Sequence, residues 1–130
     1  MERTDSQKLI LLDIDGTLMG IDGIIPPSAL DACKKAREMG HIVYICTGRA
    51  FAEIPEKIKT AGFEGIASSG GAHIESNGEV IFDAVMQPEL VKQIAAYLNS
   101  RQCGFALEKN HLTLSNSFFA DHWKNVKARM

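Results

Sequence analysis

Residues 8–20 read KLILLDIDGTLMG, and the order of residue types in that stretch decides the fold. Leu9 to Leu12 are an uninterrupted apolar run, the pattern of a strand buried within a sheet. The run ends in Asp13-Ile14-Asp15, followed by Gly16 and Thr17. Residues at i and i+2 of an extended chain point the same way, so Asp13 and Asp15 face one region of space. Carboxylates so placed repel, and either one holds a proton or both share a cation. A hard divalent ion such as Mg²⁺, which takes oxygen ligands, meets that need. Gly16 permits a sharp turn and a close approach of backbone N–H groups to an anion. Taken alone, the same residues also read as a strand-end cap followed by an Asp15-Gly16 turn.

The chain around this stretch alternates strand and helix. Residues 16–27, GTLMGIDGIIPP, are a short Gly-rich link. Ser28 then reads as a helix N-cap with Asp31 as its capping-box partner, and Gly40 as the αL terminator after Met39. HIVYIC, residues 41–46, contains a second buried strand from Ile42 to Cys46. A helix over about Ile54 to Ala61 follows, with Pro55 in its first turn and Gly62 at its end. EGIAS, residues 64–68, is a short third strand. Strands and helices alternating at this spacing predict right-handed crossovers and a parallel sheet covered on both faces.

After residue 70 the pattern changes. AHIESNGEVIFDA, residues 72–84, places two short strands around Asn77-Gly78, the signature of a type I′ hairpin. Pro88 opens an amphipathic helix with Leu90, Val91, Ile94, Tyr97 and Leu98 on one face. CGFALE and LTLS, separated by Lys109-Asn110, predict a second antiparallel pair, and residues 118–130 a last helix or tail. The chain thus reads as an α/β region over residues 1–86 followed by an α+β region over residues 87–130.

Composition narrows the function classes. At 130 residues the chain is one domain's worth, able to bury about two thirds of its unfolded surface. Its 14 basic and 16 acidic residues are mixed along the chain, without the basic block or stripe of a nucleic-acid partner. No apolar run approaches a bilayer span, and MERTDSQK at the N-terminus has no signal-peptide core, so no membrane partner is expected. Three scattered cysteines, Cys33, Cys46 and Cys103, argue against a disulfide framework or a zinc site and for a reducing cytoplasm.

In open parallel sheets, ligands bind beyond the carboxyl ends of the strands, where Asp13, Asp15 and Thr47 fall. LILLDIDGTL (residues 9–18) resembles the first motif of the haloacid dehalogenase superfamily, and VYICTGR (residues 43–49) resembles its second. Gly70-Gly71-Ala72-His73-Ile74 is similar to the hairpin start of the Cof-type branch, with Gly70 in place of the usual Asn. The resemblance covers essentially the whole chain. It implies a Rossmann-like core followed by the beginning of a C2-type cap. It also implies a Mg²⁺-dependent phosphatase acting on a sugar phosphate or a related small phosphorylated metabolite.

By that resemblance Asp13 is the nucleophile, forming an aspartyl-phosphate, and Asp15 is the general acid and base. For the acid role the pKa of Asp15 is expected to rise. The resemblance further implies that Asp13 and the carbonyl of Asp15 hold the metal. Thr47 with N–H groups near Gly48 and Gly16 would bind the phosphoryl oxygens. The family's later lysine and its acidic GDxxND-like turn have no counterpart among residues 1–130, which implies an N-terminal portion of a longer phosphatase. In the family's strand order the neighbour of Leu9–Leu12 then belongs to that later part, so an exposed sheet edge and self-association are expected.

Other residues read more plainly. Arg49 either touches phosphate or pairs with a strand-end carboxylate, and Thr17 caps the turn. His73 reads as a surface or strand residue. His111 and His122 lack partners at metal-ligand spacing. Phe118, Phe119 and Trp123 form the apolar face of a terminal helix, and Cys46 is a small buried apolar residue. Two readings of another class stand beside the enzyme: a non-catalytic remnant that binds a partner, and a receiver-like phosphoacceptor. Ser68-Ser69-Gly70 at the end of the third strand does not favour the receiver.

Overall fold

Leu9–Leu12 (β1) and Gly65–Ser68 (β3) flank Ile42–Cys46 (β2), both parallel to it. The computed structural model describes residues 7–109 and 112–127. His111 and the side chains of Trp123, Lys124 and Lys127 therefore lie outside the described residues. His73–Ser76 (β4) and Glu79–Asp83 (β5) continue the sheet antiparallel, giving five strands in the order β1-β2-β3-β4-β5. The hairpin between them has Asn77 at φ 50° and Gly78 at φ 81°, both positive as a type I′ turn requires.

The helix Pro27–Glu38 (α1) connects β1 to β2. Its start differs from the expected Ser28 cap. Pro27 takes the first helical position, for which its locked φ suits it, and Pro26 becomes the N-cap, leaving Ser28 inside the helix. Its end follows expectation. Gly40 is left-handed at φ 86°, and its N–H and that of His41 donate to the carbonyls of Arg37 and Ala36. The helix between β2 and β3 is shorter than expected, covering only Glu56–Lys59 (α2) after a 3-10 turn at Phe51–Glu53. Pro55 holds Ile54 extended at ψ 126° and stands as the N-cap itself, so no helix runs through it.

Both helices pack on one face of the sheet. Ile45 and Ile66 join Ile58 of α2 in the buried core, with Leu12 of β1 and Ala29 and Cys33 of α1 packed against it. Leu9 and Leu11 point to the opposite face and remain 59% and 58% exposed. The expectation of a strand buried on both sides, in a sheet covered on both faces, is therefore corrected. The strand order β1-β2-β3 advances in one direction, and crossovers of one hand then place α1 and α2 on the same side.

The chain divides into two compact units, Met1–Asp83 and Ala84–Met130. The second contains Pro88–Ser100 (α3), the antiparallel pair Ala106–Lys109 (β6) and Leu112–Ser115 (β7), and Ser117–Lys127 (α4). Asn116 ties it together. Its Oδ1 accepts from the N–H groups of Phe105 and Phe119, capping α4, while Nδ2 donates to Asn99 Oδ1 and the Cys103 carbonyl. No helix of the described residues is long and apolar enough to cross a membrane.

Two substitutions test this packing. A Cβ at Gly65 would collide with the Tyr44 ring and lie 2.7 Å from the Glu75 carbonyl oxygen. Gly65→Ala should lower unfolding free energy by about 1–3 kcal/mol in a urea titration. Asn116→Ala should cost about 1–2 kcal/mol through the lost cap, seen as weakened hydrogen-exchange protection in the second unit. Unchanged unfolding in either variant would contradict the contacts described.

Candidate active site

Ile14 is completely buried, at 0% exposure, and that fact aims its neighbours. With its side chain in the core, Asp13 and Asp15 on either side must point outward, and both are exposed. The chain then folds back at once. Gly16 adopts φ 79° and donates to the Met19 carbonyl, while Leu18 and Met19 donate back to the carbonyls of Asp13 and Ile14. Leu18 and Met19 are themselves buried core residues, so the loop is anchored at both ends. Thr17 Oγ1 donates to Asp13 Oδ2 at 3.3 Å, which places a hydroxyl beside that carboxylate.

The end of β2 supplies the second half of the site. Leu12 pairs with Ile45, so Asp13 and Thr47 emerge from adjacent strands at the same end of the sheet. Thr47 is buried, its N–H donates to the Ala67 carbonyl, and its Oγ1 accepts from the Arg49 N–H. The turn after β3 braces this loop from behind. Ser69 N–H donates to the Arg49 carbonyl at 2.7 Å and Gly70 N–H to the Thr47 carbonyl at 3.1 Å. Ser69, Gly70 and Gly71 all have positive φ, which the two adjacent glycines favour and which the apolar pattern of the strand before them does not reveal. Gly16, Gly48, Gly70 and Gly71 each have open space where a Cβ would stand, so backbone lines the approach.

Arg49 joins the two halves. Its Nε and Nη2 each lie 2.7 Å from an oxygen of Asp15, a bidentate ion pair, and Nη1 donates to the Glu53 carbonyl. Of the two readings open for Arg49, the structure has the carboxylate pairing. It also corrects the expectation for Asp15. The Arg49 hydrogen bonds hold this carboxyl below the ordinary aspartate range rather than above it. The guanidinium on Asp15 thus offsets the repulsion between the two neighbouring carboxylates. Among the described residues no cluster of three or more His, Cys, Asp and Glu can hold a metal ion.

Other sequence candidates lie elsewhere. His122 is exposed, Phe118 is 39% exposed and Cys46 is half-buried. His73 is a strand residue, the first of β4, as one of its two readings had it, but it is not on the surface: it is buried at 2% exposure with two carboxylate partners.

Residues 10–129 match the haloacid dehalogenase-like hydrolase family. A 5-amino-6-(5-phospho-D-ribitylamino)uracil phosphatase from Bacillus subtilis is 32% identical over 83% of this chain, which spans 38% of that relative's length. A hypothetical protein from Geobacillus kaustophilus shares the fold at TM-score 0.81 and 21% identity, covering 94% of this chain and 49% of its own. A subclass IIB sugar phosphatase matches at TM-score 0.73 and 26% identity, over 92% of this chain and 48% of its own. With both motif strands side by side and their loops joined through Arg49, the chain belongs to the haloacid dehalogenase-like hydrolases, in their Cof-type branch.

Proposed function

We propose that the protein carrying this chain is a phosphomonoester hydrolase for a sugar phosphate or a related small phosphorylated metabolite, working through an aspartyl-phosphate. The observation that carries the reading is the joined pair of loops, with Asp13 and Thr47 at neighbouring strand ends and Arg49 clasping Asp15 across them. Asp13 attacks phosphorus in line and becomes phosphorylated as the P–O bond to the leaving group breaks. Asp15 gives its proton to that leaving oxygen, then takes one from the water that attacks phosphorus and frees Asp13 and inorganic phosphate. The Thr47 oxygen already accepts from the Arg49 N–H, which leaves its O–H to donate to a phosphoryl oxygen. Backbone N–H groups near Gly48 and in the loop around Gly16 would add donors to the phosphoryl oxygens, the N–H of Gly16 itself being given to the Met19 carbonyl.

Arg49 sets the protonation of Asp15. Paired, Asp15 is a carboxylate ready for the base step. To act as an acid it must leave the guanidinium, and an incoming phosphoryl group is the natural competitor for that cation.

The donor chemistry at Asp13 suits a hard cation. Mg²⁺ would be held by an oxygen of the exposed Asp13 carboxylate and the backbone carbonyl of Asp15, and when bound it neutralises phosphoryl charge. Among the described residues these two ligands are assigned, out of about six that Mg²⁺ prefers. Residues 1–86 then read as core and 87–130 as the beginning of a cap.

The test uses the complete gene product with p-nitrophenyl phosphate and Mg²⁺. Asp13→Asn should lower turnover by about 10⁴ or more, and Asp15→Asn by about 10²–10⁴. Full turnover in Asp13→Asn would exclude it as nucleophile. Because Arg49 holds Asp15 low, Arg49→Ala should raise its pKa and move the acidic limb of kcat/KM to higher pH.

A second reading, an interaction module, is favoured by β1. It is an edge strand, and Leu9–Leu12 contains neither charge nor proline to deter pairing. Light scattering on the 130-residue chain should find dimers or larger species, and Leu11→Lys should return it to monomer. A monomeric wild-type chain would remove this reading.

A further inference from the structure

His73 takes no part in the hydrolysis proposed above, yet it sits in an unusually constrained place. Its side chain is 3% exposed, with Nδ1 3.0 Å from Asp83 Oδ1 and Nε2 3.1 Å from Glu75 Oε1. The Phe51 ring meets it edge to face, with centroids 5.5 Å apart. A neutral imidazole has one N–H and one lone pair. In either tautomer one of the two carboxylates would therefore face a lone pair inside a nearly closed site. Only the imidazolium donates to both.

The surrounding groups can be named from each packed element. Glu75 faces the ring from β4 and Asp83 from β5, while β3 contributes the uncharged Ser68, whose hydroxyl donates to the His73 carbonyl. From the 3-10 turn comes Phe51, and beyond it Lys59 of α2, whose Nζ lies 4.7 Å from the Phe51 ring centroid and 3.8 Å from Glu56. Burial opposes a charge on His73. The bonds to Glu75 and Asp83 outweigh it, and the pKa is raised.

Asp83 is the last residue of β5 and of the first unit, and residues 84–87 lead from it to α3. We infer that His73 is a proton-operated clamp on the end of β5, holding Asp83 while it is an imidazolium and releasing that strand end when it is neutral. The sign follows from linkage. The clamp contributes fully below the ordinary histidine value of about 6.5 and is lost as pH rises through the higher value of the folded state. Firmness at the exit from the first unit thereby responds to pH. This does not depend on the phosphatase reading.

The experiment uses the 130-residue chain. Proton NMR of the His73 Cε1–H should give a midpoint above about 6.5. Hydrogen-exchange protection of residues 79–87, corrected for the intrinsic rate, should fall about tenfold across that midpoint. Asp83→Asn, a change at a partly exposed position, should lower the midpoint and flatten the protection profile, and His73→Gln should flatten the protection profile. A midpoint at or below 6.5, protection indifferent to pH in the wild-type chain, or an unaltered profile in Asp83→Asn would each overturn the clamp.

Discussion

The burial of Ile14 is the constraint on which the site depends. Sinking one isoleucine into the core is worth about 1.5–3 kcal/mol, and its neighbours on either side, Asp13 and Asp15, both stay exposed. Two aspartates that would avoid each other in free solution are thereby held on one side of the chain. Leu18 and Met19 return to the same core four and five residues later, so the intervening Gly16-Thr17 turn cannot drift. The acidic loop is a consequence of apolar packing beneath it.

Electrostatics then distinguishes the two carboxylates. Asp15 receives a bidentate guanidinium, and Asp13 a single hydroxyl from Thr17. The Asp15 side chain is 53% exposed, so solvent screening leaves the pair little weight in folding stability. Its effect is directional. The planar fork of Arg49 fixes where the Asp15 oxygens lie, and Arg49 is in turn fixed by its hydrogen bonds to the Glu53 carbonyl and from Ser69 N–H. Strain at Ser69, with φ 51° on a residue bearing a Cβ, is tolerated where the backbone braces the site.

The sheet is asymmetric for topological reasons. Strands added in one direction bring both helices to one face, which leaves Leu9, Leu11 and Phe82 half or more exposed. An apolar run in sequence reports that a strand has a greasy side to hide, but it cannot report which face a helix reaches. At the other edge, the antiparallel hairpin closes with a two-residue turn and a register shift at Ile74/Glu75.

The sequence alone determined what is decided among near neighbours. The strand Ile42–Cys46, the left-handed stop at Gly40 and the Asn77-Gly78 turn follow from apolar periodicity and from the φ values glycine and asparagine accept. The DxDG and TGR stretches were legible for the same reason, since each places its polar residues at a strand end within a few positions. Tertiary structure decided the partnerships. Asp15 and Arg49 are 34 residues apart, and only the parallel pairing of β1 with β2 brings them within 2.7 Å and reverses the expected shift of Asp15. His73 reads from sequence as a surface or strand residue; it is a strand residue, and the hairpin that carries Asp83 to it, 10 positions along the chain, gives its buried ring a carboxylate partner. Charge neutralisation acts over a few ångströms in space, and no local pattern of residues encodes which distant side chain will occupy them.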